Sequence, residues 1–155
     1  MNRSGPVFFW PGNEGEIMDQ IRARLVQYQP QMLSILRIMV GLLYLSHGLQ
    51  KWFAIPVANP AFANIKLVSM FGVAGIIEIV AGSLLAVGLF TRAAAFVLSG
   101  QMAVAYWLYA NRPARGFMPL TNGGELEVLY CFVFLFFVFA GAGPWSLDAV
   151  WRGRK

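Results

Sequence analysis

The chain has 155 residues, of which 58% are hydrophobic and only 12% charged. A soluble domain carries roughly 45–50% apolar and about 25% charged residues, so disorder is excluded and an integral membrane protein is the class that remains. The single cysteine, Cys131, excludes a disulfide scaffold. The net charge of +5 is spread between apolar blocks instead of gathered in one patch, which sets nucleic acid aside and points to membrane orientation.

Residues 1–30 are not expected to be a signal peptide, because Glu14, Glu16 and Asp19 interrupt them and no apolar core follows a charged start. Asn13 and Glu16 have the spacing of an N-terminal capping pair. Ile17, Ile21 and Leu25 then recur every fourth residue, so residues 14–28 read as a short amphipathic helix lying on the membrane surface. Pro30 is expected to separate it from the first span.

Four segments approach the ~20 mainly apolar residues that a membrane-crossing helix needs. They run from about Leu33 to Phe53, Leu67 to Phe90, Ala93 to Ala110 and Leu126 to Ala142. Phe and Val alternate in part of the last one, but a lone strand would leave its backbone groups unpaired in hydrocarbon, so a helix is expected there too. Pro56, Asn59 and Pro60 fill the first loop, and Gly88 with Thr91–Arg92 forces a tight turn between the second and third spans. Pro113, Gly116, Pro119, Gly123 and Gly124 fill the next loop. Gly143–Pro144 ends the fourth span, and Ser146 and Asp148 read as the start of a short interfacial helix. The organisation is a cytoplasmic segment over 1–30, a four-helix membrane domain over 31–145 and a basic tail over 146–155.

The basic residues set the orientation. Arg3, Arg22, Arg24, Arg92, Arg152, Arg154 and Lys155 flank one side, against Lys51, Lys66, Arg112 and Arg115 on the other. The richer side is expected to be cytoplasmic, which puts both termini there. Trp145 and Trp151 on that side, with Trp52, Trp107 and Tyr109 opposite, fit two interfacial aromatic belts.

Three ionisable residues fall inside the spans: Arg37, His47 and Glu78. Charge in a bilayer costs about 2.5–3.5 kcal/mol or more, so it persists where it is paired, wet or functional. At a rise of ~1.5 Å per residue, Glu78 lies at a depth between the other two, about 7 Å from Arg37 along the bilayer normal. Arg37, Gly41, Tyr44, Gly48 and Lys51 share one face of the first span, and Ala74, Glu78, Gly82 and Ala86 form a small-residue stripe on the second. The expectation is that these faces pack together and that Arg37 pairs with Glu78. That pair could be structural alone, or it could serve a ligand headgroup or a proton relay. His47 could likewise be a packed imidazole or a hydrogen-bond donor to a ligand. One His cannot complete a bis-histidine haem, and no thiolate cluster exists for an iron–sulfur centre, so no metal is expected. Gln101 and Tyr106 can bond across helices, and Glu125 and Glu127 suit the positive end of the fourth helix. No phosphate loop, His-Glu-x-x-His or Gly-x-Ser-x-Gly motif occurs.

The chain resembles the DoxX family of small four-helix bacterial membrane proteins. The matching pieces are Leu36-Arg-Ile and Ser46-His-Gly-Leu-Gln-Lys51, then Gly75-Ile-Ile-Glu-Ile-Val-Ala-Gly82 and Gly88-Leu-Phe-Thr91. Asn122-Gly-Gly-Glu125 and Gly141-Ala-Gly-Pro-Trp-Ser-Leu-Asp148 complete the order, so the resemblance covers about Leu33 to Asp148. It implies a protein of the bacterial inner membrane with a redox link. Members look like partners of oxidoreductases, among them a thiosulfate:quinone oxidoreductase, and others are associated with thiols and oxidative stress. The expected protein is therefore an all-α accessory subunit, in a homo-oligomer or a hetero-complex with oxidoreductase subunits. A quinone is the candidate ligand, and Arg37, Tyr44, His47, Glu78 and Gln101 are the candidate site. A small transporter or proton channel, and a scaffold recruiting soluble enzymes, are the alternatives.

Overall fold

The structure, a computed structural model, describes residues 14–110 and 116–153. Among these residues the chain is entirely helical, with no strand. In chain order the helices are α1 (Glu14–Phe53), α2 (Met70–Val87), α3 (Thr91–Ala105), α4 (Pro119–Asn122), α5 (Glu125–Ala140) and α6 (Leu147–Arg152). A 3-10 turn, Pro60–Phe62, lies between α1 and α2, and α3 continues into a π-helical turn, Tyr106–Ala110.

Among the described residues two helices are long and apolar enough to cross a membrane, α1 and α2. With 15 and 16 residues, α3 and α5 are shorter than the ~17–25 residues of a typical span. All four meet in one core, to which α1 gives Val40 and Tyr44, α2 gives Ala81 and Leu85, α3 gives Ala94, Ala95 and Leu98, and α5 gives Phe134 and Phe137.

The packing turns small and polar residues inward. On α2 the buried positions are Gly72, Gly75, Glu78, Ala81, Gly82 and Leu85, while Val73, Ile76, Val80 and Val87 face out. On α5, Leu129, Phe132, Phe136 and Phe139 are exposed in the same way. An apolar surface this extensive suits lipid, and close-packed small residues are how helices associate where burying Leu gains nothing.

The expected small-residue faces do meet. A Cβ placed on Gly41 would stand 2.6 Å from the Ala86 backbone nitrogen, and one on Gly48 would stand 2.8 Å from the Gly75 carbonyl oxygen. With Trp52 Nε1 donating to the Gly72 carbonyl at 3.2 Å, this fixes α1 antiparallel to α2.

The expected break at Pro30 does not occur. Residues 14–28 and the first span form one 40-residue helix, and residues 15–30 are exposed on every side. A short separate surface helix is therefore corrected to a rod projecting beyond the core by about 24 Å. Proline removes a single main-chain donor and its φ already suits a helix. Local contacts hold the turn: Ser34 Oγ donates to the Pro30 carbonyl at 3.1 Å, and the Trp145 N–H donates to Ser34 Oγ at 3.2 Å. The loop crosses so closely here that a Cβ on Gly143 would stand 3.1 Å from the Pro30 carbonyl oxygen.

After Gly143–Pro144 the expected short helix forms, as α6, and docks on the α2–α3 turn. Ser146 caps α6 by accepting the Ala149 N–H at 3.1 Å. Asp148 reaches back to the α2–α3 turn, accepting the Phe90 and Thr91 N–H groups at 2.9 Å each. Asn122 precedes α5, whose N-cap is Gly124. Asn122 is buried and ties its loop, with Oδ1 accepting the Gly124 N–H at 2.8 Å and Nδ2 donating to the Gly116 carbonyl at 3.1 Å. The capping role of Asn13 and the charges of Arg3, Arg112, Arg115, Arg154 and Lys155 lie outside the described residues.

Candidate functional site

Arg37 and Glu78 do not pair. Arg37 is fully buried, 0% exposed, yet its partners are all backbone carbonyls. Nε donates to Ala142 at 2.8 Å, Nη2 to Trp145 at 2.6 Å, and Nη1 to Ala86 at 2.5 Å and also to Leu85. The guanidinium thus caps the C-terminal end of α2 and clasps the loop after α5. Gly88, at φ 73°, must be glycine twice over: the turn is left-handed, and a Cβ would stand 2.9 Å from Arg37 Cζ. The expected Arg37–Glu78 pair fails because these carbonyls, closer to Arg37 than the carboxylate is, can use the donors of the guanidinium fork.

Glu78 pairs instead with Lys51. The ammonium stands 2.5 Å from both carboxylate oxygens, and the two side chains are 11% and 4% exposed. Lys51 lies fourteen residues beyond Arg37 on α1, so the two basic groups are about 21 Å apart along the axis. Gln101 Nε2 adds a bond to Glu78 Oε1 at 3.1 Å and another to the Ala74 carbonyl at 3.4 Å. A buried ion pair needs such additional bonds, because Coulomb attraction alone barely offsets desolvation.

Four helices converge on this pair. Tyr44, His47 and Lys51 come from one face of α1, Glu78 from α2, Gln101 and Met102 from α3, and Glu127 and Tyr130 from α5. Two cavities open from it. One, of about 180 Å³, is lined by Tyr44, His47, Lys51, Glu78, Glu127 and Tyr130 among others. The second, of about 320 Å³, has Lys51, Glu78, Gln101 and Glu127 as its polar wall and Phe62, Met70 and Phe71 on its apolar side. The Lys51 ammonium also lies over the Phe62 ring, 5.8 Å from its centre.

Three buried polar atoms around the pair have no hydrogen-bond partner among the described residues: Tyr44 Oη, Gln101 Oε1 and Glu127 Oε2. Each such atom costs about 1–3 kcal/mol if it stays bare, so a buried water or a ligand group is the natural partner for them. Tyr44 is only 2% exposed, and its ring is held edge-on by Phe134, with centroids 4.8 Å apart.

Of the five expected site residues, the structure brings four to this chamber. Tyr44, Glu78 and Gln101 form its walls. His47 lines the smaller cavity but is exposed, so it sits at the mouth instead of turning fully inward. It touches the Tyr44 ring edge-on at 6.3 Å. Arg37 is absent from the lining. Sequence reasoning missed Lys51, Glu127 and Tyr130 as site residues. The spacing of Tyr44, His47 and Lys51, three and then four residues apart, was the available signal for Lys51. Among the described residues no group of three or more His, Cys, Asp or Glu could hold a metal ion. Cys131 is partly buried, and the Ser99 hydroxyl donates to its carbonyl at 2.9 Å.

The DoxX family model matches residues 32–111. A protein of Haemophilus influenzae described as uncharacterized is 45% identical over 125 residues, covering 80% of this chain and 93% of its own. A Mycobacterium tuberculosis protein described as an uncharacterized membrane protein is 30% identical over 131 residues, covering 77% of this chain and 80% of its own. No solved structure matches.

Proposed function

The chain belongs to the DoxX family, and from that premise we propose that it is an accessory membrane subunit of an oxidoreductase system, whose chamber receives the headgroup of a quinone-type redox carrier. In this reading α1, α2, α3 with its π-helical turn, and α5 all lie within the bacterial inner membrane. Both termini face the cytoplasm, on the side richer in Lys and Arg. Partner subunits carry the catalytic centre, and the accessory chain presents the carrier to them.

One observation carries the reading. Buried polar atoms of Tyr44, Gln101 and Glu127 without partners among the described residues surround a Lys51–Glu78 pair in cavities with apolar sides. A ligand with a small polar head and an apolar body matches such a place, and the larger cavity, about 320 Å³, falls in the usual size range of ligand pockets. Tyr44 and Lys51 can donate to a ring oxygen, and His47 can do so from the mouth. Glu78 and Glu127 can hold or pass a proton at that oxygen.

The test is binding of short-chain ubiquinone and menaquinone analogues to the purified chain in mild detergent. Saturable binding that weakens at least tenfold in Glu78→Gln and in Tyr44→Phe is expected. Affinity unchanged in Glu78→Gln and His47→Ala would remove this site.

A second reading draws on the two cavities sharing Lys51, Glu78, Met102 and Glu127, since a carboxylate-lined passage also suits proton movement. Proton flux into liposomes that needs no partner protein and disappears in Glu78→Ala would favour that reading over the first.

A further inference from the structure

The proposal above leaves open which form of the carrier fits, and the donors and acceptors of the chamber discriminate. This step rests on that reading of the site. The Gln101 amide is oriented by its own bonds, because its nitrogen faces two acceptors, Glu78 Oε1 and the Ala74 carbonyl. Its oxygen therefore points the other way, as an acceptor with no donor among the described residues. Glu127 Oε2 is a second acceptor in the same condition. Both residues line the same cavity of about 320 Å³. On the donor side, Lys51 directs two bonds to Glu78 and Gln101 Nε2 is engaged as described. Tyr44, whose hydroxyl can give or take, lines the adjoining cavity.

The larger cavity thus carries two unmatched acceptors, while the third N–H of Lys51 can serve an oxygen of either form of the carrier. A quinone brings only acceptor oxygens; it would leave Gln101 Oε1 and Glu127 Oε2 bare and set its own carbonyl against them. A hydroquinone brings an O–H that either atom can accept, while its ring lies among Phe62, Met70 and Phe71. Donors at the mouth, such as His47, serve the oxygen of either form and so do not choose between them.

We propose that the chamber selects the reduced, hydroxyl-bearing form of the carrier, a hydroquinone, over the quinone, through Glu127 Oε2 and Gln101 Oε1. The proposal concerns binding, and no electron transfer is assigned to this chain. Satisfying one acceptor that the quinone leaves bare favours the hydroquinone by roughly fivefold or more.

Calorimetric titration of the full chain in detergent micelles, kept under argon, with a short-chain ubiquinone and with its chemically reduced hydroquinone, tests this. The hydroquinone is expected to bind roughly fivefold tighter or more. Glu127→Gln can turn an amide N–H toward the ligand and should narrow the preference to threefold or less, mainly by improving quinone binding. An unshifted thermal melt of that variant shows that the fold is intact; should it be shifted, Gln101→Leu, with the same narrowing expected, takes its place. Equal affinities, or a tighter quinone, overturn the selection while leaving the carrier site standing. A preference that survives both Glu127→Gln and Gln101→Leu overturns the assignment to these acceptors. No binding of either form overturns the carrier site and the selection with it.

Discussion

Replacing Arg37 with methionine, similar in reach but without charge or donors, isolates what the guanidinium holds together. Four hydrogen bonds vanish, to Leu85, Ala86, Ala142 and Trp145. Hydrogen bonds to a charged group are worth about 1.5–3 kcal/mol net, but they are not independent here and the buried cation's own desolvation offsets part of them. Leu85 keeps a second donor, the Gly88 N–H at 3.1 Å. That leaves the carbonyls of Ala86, Ala142 and Trp145 to lose their bond from Arg37. At about 1–3 kcal/mol per bare carbonyl, and allowing for partial rehydration at the core's edge, the expected loss is about 4 kcal/mol. Arg37→Lys should lose about half of that, because a single ammonium cannot reach the end of α2 and the loop after α5 together. Reversible denaturation in mixed micelles, followed by circular dichroism, measures both. A loss under about 1 kcal/mol in Arg37→Met, or a lysine variant as stable as the parent, would refute the idea that this residue is a structural clasp.

Three further sets of substitutions read other parts of the structure. Lys51→Met and Glu78→Met should each destabilise by about 3 kcal/mol, while the double variant stays within about 1 kcal/mol of the parent, since removing one partner strands a buried charge; additive losses in the same micelle assay would contradict that. Gly41→Ala should cost about 1–3 kcal/mol, because its new methyl would meet Ala86 backbone, whereas Gly100→Ala, with nothing within 4 Å, should be neutral or slightly stabilising. Burial pushes the Asp148 carboxyl up, but the bonds from Thr91 and Phe90 outweigh it and hold the carboxyl below its usual range. Its stabilising contribution, about 1–2 kcal/mol as a cap, is therefore full above the unfolded value near ~4 and fades as pH falls through the lower folded value. The gap between the parent and Asp148→Ala in melting temperature should be constant from neutral pH to about 5 and shrink below about 4; a gap that persists unchanged at pH ~2.5 would count against it.

Much of this was legible in the chain. The tight turn from α2 to α3 follows from Gly88 to Thr91, and the α1–α2 interface from Gly41, Gly48 and Gly82 at their helical spacings. What sequence could not supply was the choice of partner for each buried charge. Arg37, Lys51 and Glu78 allow two pairings at similar helical phase, and a one-dimensional reading cannot see that the carbonyls of Ala142 and Trp145 return to Arg37. Glu127 was explained well enough by the helix dipole to hide its place in the chamber. Pro30 misled for another reason: its penalty is local, and contacts from the far end of the chain hold the same turn in place.

The clasp also sets an order of events during synthesis. Arg37 is made early, but its acceptors at Ala142 and Trp145 come 105 and 108 residues later. At roughly 5–20 residues per second the ribosome needs about 5–20 s to deliver them. Throughout that interval a newborn first helix carries a cation with no final home, so it must wait at the headgroup level or in the insertion machinery. A nascent chain that stops before residue 142 lacks both of these acceptors, so the stretch from Ala142 to Trp145 is what closes the clasp.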